Sequence, residues 1–305
     1  MRIAVHGLGR MGGQIAQKLS EASDQGITLI AHNRSPEPIE LAVSHGAVAA
    51  YTKQEVIDKF DPDETVIIWL MLPSDVTDQH LQEWLEIVPS GSILIDGGNS
   101  DYRLSIKRSE LVSQKGCSFI DVGVSGGIWG YQNGFAMMAG SDSKQSFNEI
   151  EAALKVLAAP EGDYAYFGET GSGHFVKMTH NAIEYGMMES LSEGYRLLKE
   201  GPYQGIDLES AARVWQHHSV VTSWLNELVL EIMHENPELD GIEGKVAQTG
   251  EAAWALETAK DLGIDMPAIN DSFQVRIDSE NGAINYSTKL LAAIRNKFGG
   301  HKLNN

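Results

Sequence analysis

Cysteine is almost absent from this chain. Cys117 is the only one in 305 residues, which excludes an internal disulfide and argues against a cysteine-based zinc site. A reducing cytoplasm is the compartment that fits this usage. Without staples the fold must rest on its core, and 42% hydrophobic residues against 21% charged ones is an ordinary supply for a chain of this length. Positive charge is scarce as well. Lys and Arg number 23 against 42 Asp and Glu, a formal net charge of −19. That argues against a nucleic-acid partner, which needs a basic face. It also means that any anionic substrate must be met by a local cluster of Arg, Lys and His working against the surrounding field. Long apolar runs are missing: nothing approaches the roughly 20 residues of a membrane span. The first strand-like run, Ile3 to Val5, follows no basic and then apolar leader, so neither a membrane anchor nor a signal peptide is expected.

What is present divides into two patterns. Short apolar runs at Ile3–His6, Thr28–His32, Thr65–Leu70, Ser92–Asp96 and Ser118–Asp121 read as strands. Between them Met11–Ala22, Glu37–His45, Lys53–Lys59, Asp75–Ile87 and Leu104–Lys115 read as helices. Such alternation predicts a Rossmann-like α/β domain with a parallel sheet covered on both faces. Further strands are expected near Gly134–Ala139 and Tyr164–Phe167. After about Gly173 the β-branched runs vanish. His174–Lys199 reads as one long helix stopped by Gly201-Pro202, because glycine and proline end helices. Leu208–His217, Thr222–His234, Lys245–Leu262, Pro267–Ser279 and Thr288–Lys297 read as further helices. The expected organisation is a dinucleotide-binding domain over residues 1–172 and an all-α domain over 173–305. No repeat or low-complexity tract interrupts it.

Gly7-Leu8-Gly9-Arg10-Met11-Gly12 follows the first strand and opens a helix, the context that gives a G-x-G-x-x-G segment its meaning. Gly7 permits the tight turn, Gly9 lets a pyrophosphate approach the backbone, and Gly12 lets helix and strand pack closely. The free amides of the helix then face the anion. Arg10 and Met11, with Met71 and Leu72 after the Thr65–Leu70 strand, complete this candidate cofactor set. The end of the second strand selects the cofactor, since an acidic residue there would bond the ribose hydroxyls of NAD and repel a 2′-phosphate. Here it reads His32-Asn33-Arg34-Ser35, with no carboxylate before Glu37. Asn33, Arg34 and Ser35 therefore favour NADP over NAD, by charge-assisted hydrogen bonds to the phosphate.

Asp96-Gly97-Gly98-Asn99-Ser100 and Asp121-Val122-Gly123-Val124-Ser125-Gly126-Gly127 each leave a strand at its carboxyl end, where open parallel sheets bind ligands. Asn99 and Ser125 can donate to and accept from hydroxyls and carboxylates. Gly126 and Gly127 permit close backbone approach. The long helix carries Lys177, His180, Asn181, Glu184 and Tyr185. Offsets of three, four and seven put His180, Asn181 and Glu184 on one face with Lys177. A solvated charged face is the plain alternative for a lone Lys and Glu; the added His, Asn and Tyr point to chemistry.

At these residues the chain resembles the decarboxylating 6-phosphogluconate dehydrogenase family. Gly171-Ser172-Gly173-His174-Phe175-Val176-Lys177-Met178, with His180-Asn181 and Ile183-Glu184-Tyr185-Gly186, is similar to its catalytic helix. Asp96–Ser100 and Val124–Gly127 resemble its substrate loops, and Arg295-Asn296-Lys297-Phe298-Gly299-Gly300-His301 resembles its Arg-x-x-Phe-Gly-x-His tail. The likeness spans nearly the whole chain and is to the short form of the family. It implies that Tyr185, Arg276, Arg295 and His301 hold the substrate phosphate, with Arg295 and His301 supplied by a partner subunit in a homodimer or a higher homo-oligomer. Two departures stand out. Short forms often carry an acidic residue where Asn33 stands, and often read Gly-Glu-Gly-Arg-Trp where this chain has Gly250-Glu251-Ala252-Ala253-Trp254.

The implied reaction is the oxidative decarboxylation of 6-phosphogluconate to ribulose 5-phosphate and carbon dioxide. Lys177 serves as base if burial or a neighbouring cation leaves its amine neutral. Ser125, His180 and Asn181 orient the substrate. Glu184 protonates C1 of the enediol if its surroundings keep it protonated. No step needs a metal, and no metal-ligand spacing is visible. A β-hydroxyacid dehydrogenase of the 3-hydroxyisobutyrate type is the nearest alternative, sharing the fingerprint, the Val-Ser-Gly-Gly loop and the Lys–Asn helix but lacking counterparts of Glu184 and Arg295. A cofactor-binding regulatory protein would keep Gly7, Gly9 and Gly12 without needing Lys177 and Glu184 together.

Overall fold

The computed structural model describes residues 1–300. The chain falls into two compact units, Met1–Lys177 and a second from Met178 onward.

In the first unit the apolar runs become strands: β1 (Arg2–His6), β2 (Thr28–His32), β3 (Val48–Ala50), β4 (Ile67–Leu70), β5 (Ile93–Asp96), β6 (Ser118–Ser125), β7 (Ala136–Gly140) and β8 (Tyr164–Tyr166). They form one eight-stranded sheet in the order β3-β2-β1-β4-β5-β6-β7-β8. The helices between them are α1 (Arg10–Ser20), α2 (Pro36–Ser44), α3 (Lys53–Ile57), α4 (Ser74–Leu85), α5 (Tyr102–Ser113), α6 (Gly130–Asn133) and α7 (Lys144–Ala158). The winding reverses beside β1, whose neighbours are β2 and β4. The loops leaving β1 and β4 therefore stand side by side at the carboxyl edge, the usual place for a ligand. One face of the sheet buries Ile3, Val5, Ile15, Leu19, Trp69 and Ile95; the other buries Ala4, Ile30, Ile68, Leu81, Trp84 and Val112. Each large apolar side chain so buried contributes roughly 1.5–3 kcal/mol.

The sheet departs from the expected all-parallel form at its end. β7 runs antiparallel to β6, and β8 follows β7 in parallel. A connection through short α6 turns the chain straight back along the edge of β6, with no long crossover to restore the parallel direction. β3 and α7 were not among the expected elements. β3 has only three residues, too few for a period to register. Phe147, Ile150, Ala153, Leu154 and Leu157 of α7 are buried at helical spacing.

The second unit is helical: the greater part of α8 (Ser172–Glu200), then α9 (Leu208–Gln216), α10 (Trp224–Glu235), α11 (Glu251–Leu262), α12 (Pro267–Glu280) and α13 (Tyr286–Gly299). Met188, Tyr195, Leu228, Val229, Ile232, Leu290, Leu291 and Ile294 fill its core. The helix expected from Lys245 begins only at Glu251. Before it, the Val246 amide donates to Ser279 Oγ at 3.0 Å and the Thr249 amide to the Tyr185 hydroxyl at 3.1 Å, so tertiary partners satisfy the backbone in place of a helical ladder. α13 starts with a capping box in which Asn285 and Thr288 bond each other's backbone reciprocally, and this fixes the helix that carries Arg295. Among the described residues no helix is long and apolar enough to cross a membrane.

Candidate active site

The glycine segment begins where β1 ends. Gly7 has φ of +102°, and a Cβ on it would stand 2.5 Å from the Met71 carbonyl oxygen. A Cβ at Gly12 would meet the Gly7 carbonyl oxygen at 1.9 Å and Met71 Cβ at 2.8 Å. Only glycine lets helix and loop approach this closely. Gly9 is different. It caps α1 with no side chain, and nothing lies within 4 Å of its Cβ position. The first amides of an eleven-residue helix thus border open space, which suits a pyrophosphate. Arg10 is exposed and Met11 half-buried at the mouth. Met71 is tied in by its amide, 2.8 Å from the His6 carbonyl, and Leu72 follows it over Gly7.

Asn33 joins the loops after β1 and β2. Its Oδ1 accepts from the Leu8 amide at 3.1 Å, and its Nδ2 donates to the Ser35 carbonyl at 3.2 Å. Arg34 is exposed. Ser35 caps α2, yet its hydroxyl makes no capping bond. The end of β2 therefore offers a guanidinium and a hydroxyl to a ligand, and no carboxylate.

The loop after β5 is anchored by a buried ion pair. Arg108 of α5, 2% exposed, donates from Nη1 to Asp96 Oδ2 at 2.6 Å and to Ser100 Oγ at 2.7 Å, and from Nε to Asp78 Oδ1 at 2.6 Å. Asp96 also takes the Gly98 amide at 3.1 Å. Between these fixed points Asn99 is exposed. Ser125, Gly126 and Gly127 leave β6 half-buried, and Gln14 of α1 holds the following turn by donating to the Ile128 carbonyl at 3.2 Å.

α8 starts on the same strand. The buried Asp121 carboxylate accepts from the Gly171 amide and the His174 amide, each at 2.7 Å, satisfying donors at the helix start. Burial pushes this carboxyl up from its ordinary range, against the pull of His174. The Ser105 hydroxyl lies 2.7 Å from His174 Nδ1. One turn later Lys177 is buried, 6% exposed, with its stem lying against Gly123 of β6.

The rest of the expected set lies farther along α8 and in the second unit. His180 Nδ1 is 2.9 Å from Asn181 Oδ1, and Asn181 Nδ2 donates to Glu251 Oε1 at 3.2 Å. Glu251 is buried and stands in the segment that lacks the expected Arg. Glu184 is half-buried. Tyr185 is buried, and the Arg276 guanidinium carbon lies 3.2 Å from its ring centroid, a cation–π contact. Arg276 is 2% and Arg295 7% exposed. Burial lowers both guanidiniums from their ordinary value, each being placed to feel Tyr185 and Glu184. Neither enters an ion pair among the described residues. Arg295 stands within electrostatic reach of Tyr185 and Glu184 of its own chain, on α13, which packs on α12. His301 lies outside the described residues. Among those residues no group of three or more His, Cys, Asp or Glu is placed to hold a metal.

Asp121, Arg108, Thr249 and Glu251 were not among the expected site residues. Asp121 opens the segment that runs to Gly127, but its role depends on amides far along the chain.

Residues 2–171 match the family described as the NAD binding domain of 6-phosphogluconate dehydrogenase, and residues 173–295 match the 6-phosphogluconate dehydrogenase C-terminal domain. The chain is 32% identical over 305 residues to a Haloferax volcanii protein named 6-phosphogluconate dehydrogenase, NAD(+)-dependent, decarboxylating, covering 99% of this chain and 98% of that one. Among solved structures it is similar to Plasmodium falciparum 6-phosphogluconate dehydrogenase, described with NADP+ and with 6-phosphogluconate. The TM-score is 0.82 at 25% identity, covering 96% of this chain and 70% of that one. A Salmonella typhimurium 3-hydroxyisobutyrate dehydrogenase shares the fold, with a TM-score of 0.74 at 17% identity over 95% of this chain and 99% of that one.

Proposed function

The chain belongs to the 6-phosphogluconate dehydrogenase family, and from that premise we propose that it converts 6-phosphogluconate to ribulose 5-phosphate and carbon dioxide. One observation carries the reading furthest: Arg276 and Arg295 are buried, and neither enters an ion pair among the described residues. Desolvating a cation without a partner is costly, so such a pair makes sense where an anion completes it. A phosphate dianion takes bidentate hydrogen bonds from guanidinium groups. A small β-hydroxyacid without phosphate gives these residues nothing to do, which favours the phosphorylated substrate over the 3-hydroxyisobutyrate type.

The open space at Gly9 and the amides of α1 fit a nicotinamide dinucleotide, with Gly7, Gly12, Arg10, Met11, Met71, Leu72 and Asn99 around it. When bound, that group supplies the hydride acceptor. Lys177 takes the C3 hydroxyl proton as C3 is oxidised. Its ammonium then donates to the C3 ketone of the β-keto acid, which draws in the electrons released as carbon dioxide leaves. Ser125, Gly126, Gly127, His180 and Asn181 hold hydroxyl and carboxylate in place. Glu184 delivers the proton to C1 of the remaining enediol. Tyr185, Arg276 and Arg295, with His301, take the phosphate.

Arg34 and Ser35 favour NADP, although the Haloferax volcanii relative is named for NAD. A homodimer is also proposed. It is supported by Ile183 and Met187, apolar side chains one turn apart on α8 that are both exposed, since adjoining exposed apolar residues mark interaction sites. The deciding assay supplies 6-phosphogluconate with NADP or NAD and follows cofactor reduction together with carbon dioxide release. Reduction without carbon dioxide, or turnover of 3-hydroxyisobutyrate in preference, would overturn the assignment.

A further inference from the structure

α8 turns a stripe of side chains toward α12. Tyr185 lays its ring on the Arg276 guanidinium, and Met188 Sδ lies 3.7 Å from Arg276 Nη2. Glu189 is next to Met188 and one turn beyond Tyr185, so it belongs to that face. It is 5% exposed, and its Oε2 has no hydrogen-bond partner among the described residues. One turn on, the fully buried Ser192 hydroxyl is likewise unpartnered there. Glu189 enters no ion pair among the described residues, although its charge and that of Arg276 influence one another.

This arrangement is anomalous for a structural acid. A carboxylate in the field of a desolvated guanidinium should close on it, because a buried ion pair left open wastes the Coulomb term that offsets desolvation. Glu193 on α8 and Arg276 on α12 act on Glu189; Arg276 in turn feels Tyr185 and Glu184 on α8 and Arg295 on α13, and Arg295 feels Glu251 on α11 and Glu280 on α12. Acids outnumber the two cations in that set. Burial first and Glu193 second push the Glu189 carboxyl up to about 7, against the pull of Arg276.

We propose that Glu189 is a positioning residue that stands as a neutral acid and leaves Arg276 and Arg295 to a phosphate dianion, so that phosphate binding is coupled to uptake of a proton. This rests on the reading of those arginines as the phosphate site. Ionised, Glu189 is a built-in anion that competes for Arg276. A dianion arriving beside it strengthens the carboxyl's hold on its proton, and the buffer supplies that proton. By linkage, phosphate affinity falls as pH rises through the range where Glu189 ionises.

The test uses the full chain and its near-isosteric variant Glu189→Gln. Dissociation constants for 6-phosphogluconate are measured calorimetrically at pH 6.5 and 8.5. Comparing the two proteins cancels the phosphate's own titration. The ratio of wild-type to Glu189→Gln Kd should rise about three- to twenty-five-fold across that interval, the upper figure being the linkage ceiling for a group titrating near 7. A second measurement uses inorganic sulfate, which does not titrate here. Its binding at pH 7.5, in buffers of different ionisation enthalpy, should take up a fraction of a proton in the wild type and none in Glu189→Gln. Parallel pH profiles, with no proton taken up with sulfate by the wild type, would overturn the role of Glu189 while leaving the phosphate site standing. If neither protein binds 6-phosphogluconate, the phosphate reading fails and this inference with it.

Discussion

A Cβ on Gly123 would stand 2.2 Å from Cβ of Lys177 and 2.7 Å from its Cγ. The strand that leads to Ser125 thus surrenders a side chain so that the Lys177 stem can lie flat on it. Gly123→Ala forces α8 or the Lys177 stem to move, and the clash involves atoms next to the backbone, which cannot swing aside. Overpacking of this kind costs about 1–3 kcal/mol. A shift of about 1 Å in a reacting group can lower rate by roughly 10²-fold. The variant should show a lowered Tm and a kcat loss larger than its change in KM. A folded Gly123→Ala protein with wild-type kcat would mean that Lys177 needs no such placement.

Arg108 should matter to the Asn99 loop in the same indirect way. It is buried against an equally buried Asp96, and removing one partner of such a pair costs about 3–5 kcal/mol. Arg108→Met should therefore destabilise by that order in urea and raise the KM for the cofactor. Adding Asp96→Asn removes the stranded charge and should restore part of the stability. An additive double variant would show that the two residues do not act as a pair.

How much of this could be read in the sequence depends on distance along the chain. The fingerprint at Gly7–Gly12 and the stripe from Lys177 to Tyr185 are local patterns, where spacing alone determines the shared face. Arg276 and Arg295 were reached only through resemblance, since nothing near them in sequence marks an anion site. Arg108 and Glu189 escaped for a physical reason. Arg108 looks like an ordinary charge on a helix until the fold delivers Asp96 and Asp78 to it, and Glu189 looks solvated until the fold buries it. Likewise, the helix expected from Lys245 fails because Ser279 and Tyr185, distant in sequence, take its amides.

The strand ends that carry the proposed cofactor loops hold buried histidines, and these predict acid sensitivity. His6 Nδ1 accepts from Trp84 Nε1 at 3.1 Å, and the His6 ring lies 4.7 Å from that of His32 and 4.8 Å from that of His80. Burial, then His32, His80 and Lys53, hold His6 down to about 2. The unfolded chain binds a proton near the ordinary histidine value of about 6.5. The folded pKa lies below the unfolded one, so this contribution to stability is fully present above about 6.5 and is lost as pH falls below it. At pH 5 the loss is about 2 kcal/mol. Denaturation midpoints at pH 7.5 and 5 check this, and His6→Gln, which keeps an acceptor for Trp84, should flatten the dependence. An unchanged slope in that variant would assign the acid lability to other groups.

Cofactor choice tests the end of β2. Asn33→Asp places a carboxylate beside the 2′-position and should move the ratio of kcat/KM toward NAD, by repelling a 2′-phosphate and bonding the ribose hydroxyls. Asn33 also bonds the Leu8 amide, and Asp keeps an acceptor there, so the loop should hold. A wild-type enzyme that already prefers NAD strongly would sink the assignment of Arg34 and Ser35 to a phosphate.

The last prediction separates Lys177 from Glu184. They lie on one helix of 29 residues, two turns apart on one face, so each can reach a different carbon of a short substrate. In the proposed reaction Lys177 acts first, at the C3 hydroxyl, and Lys177→Met removes that amine without adding a charge. Hydride transfer should fall by several orders of magnitude, given that general base catalysis alone supplies roughly 10²–10⁴-fold. Glu184 is proposed to act only after carbon dioxide has left. Glu184→Gln keeps shape and hydrogen bonding but has no proton to deliver. Single-turnover measurements distinguish the steps: Glu184→Gln should give a fast reduced-cofactor signal followed by slow appearance of ribulose 5-phosphate. If its hydride transfer is instead as impaired as that of Lys177→Met, while later steps run normally, Glu184 serves the oxidation and the proposed order of the two residues is wrong.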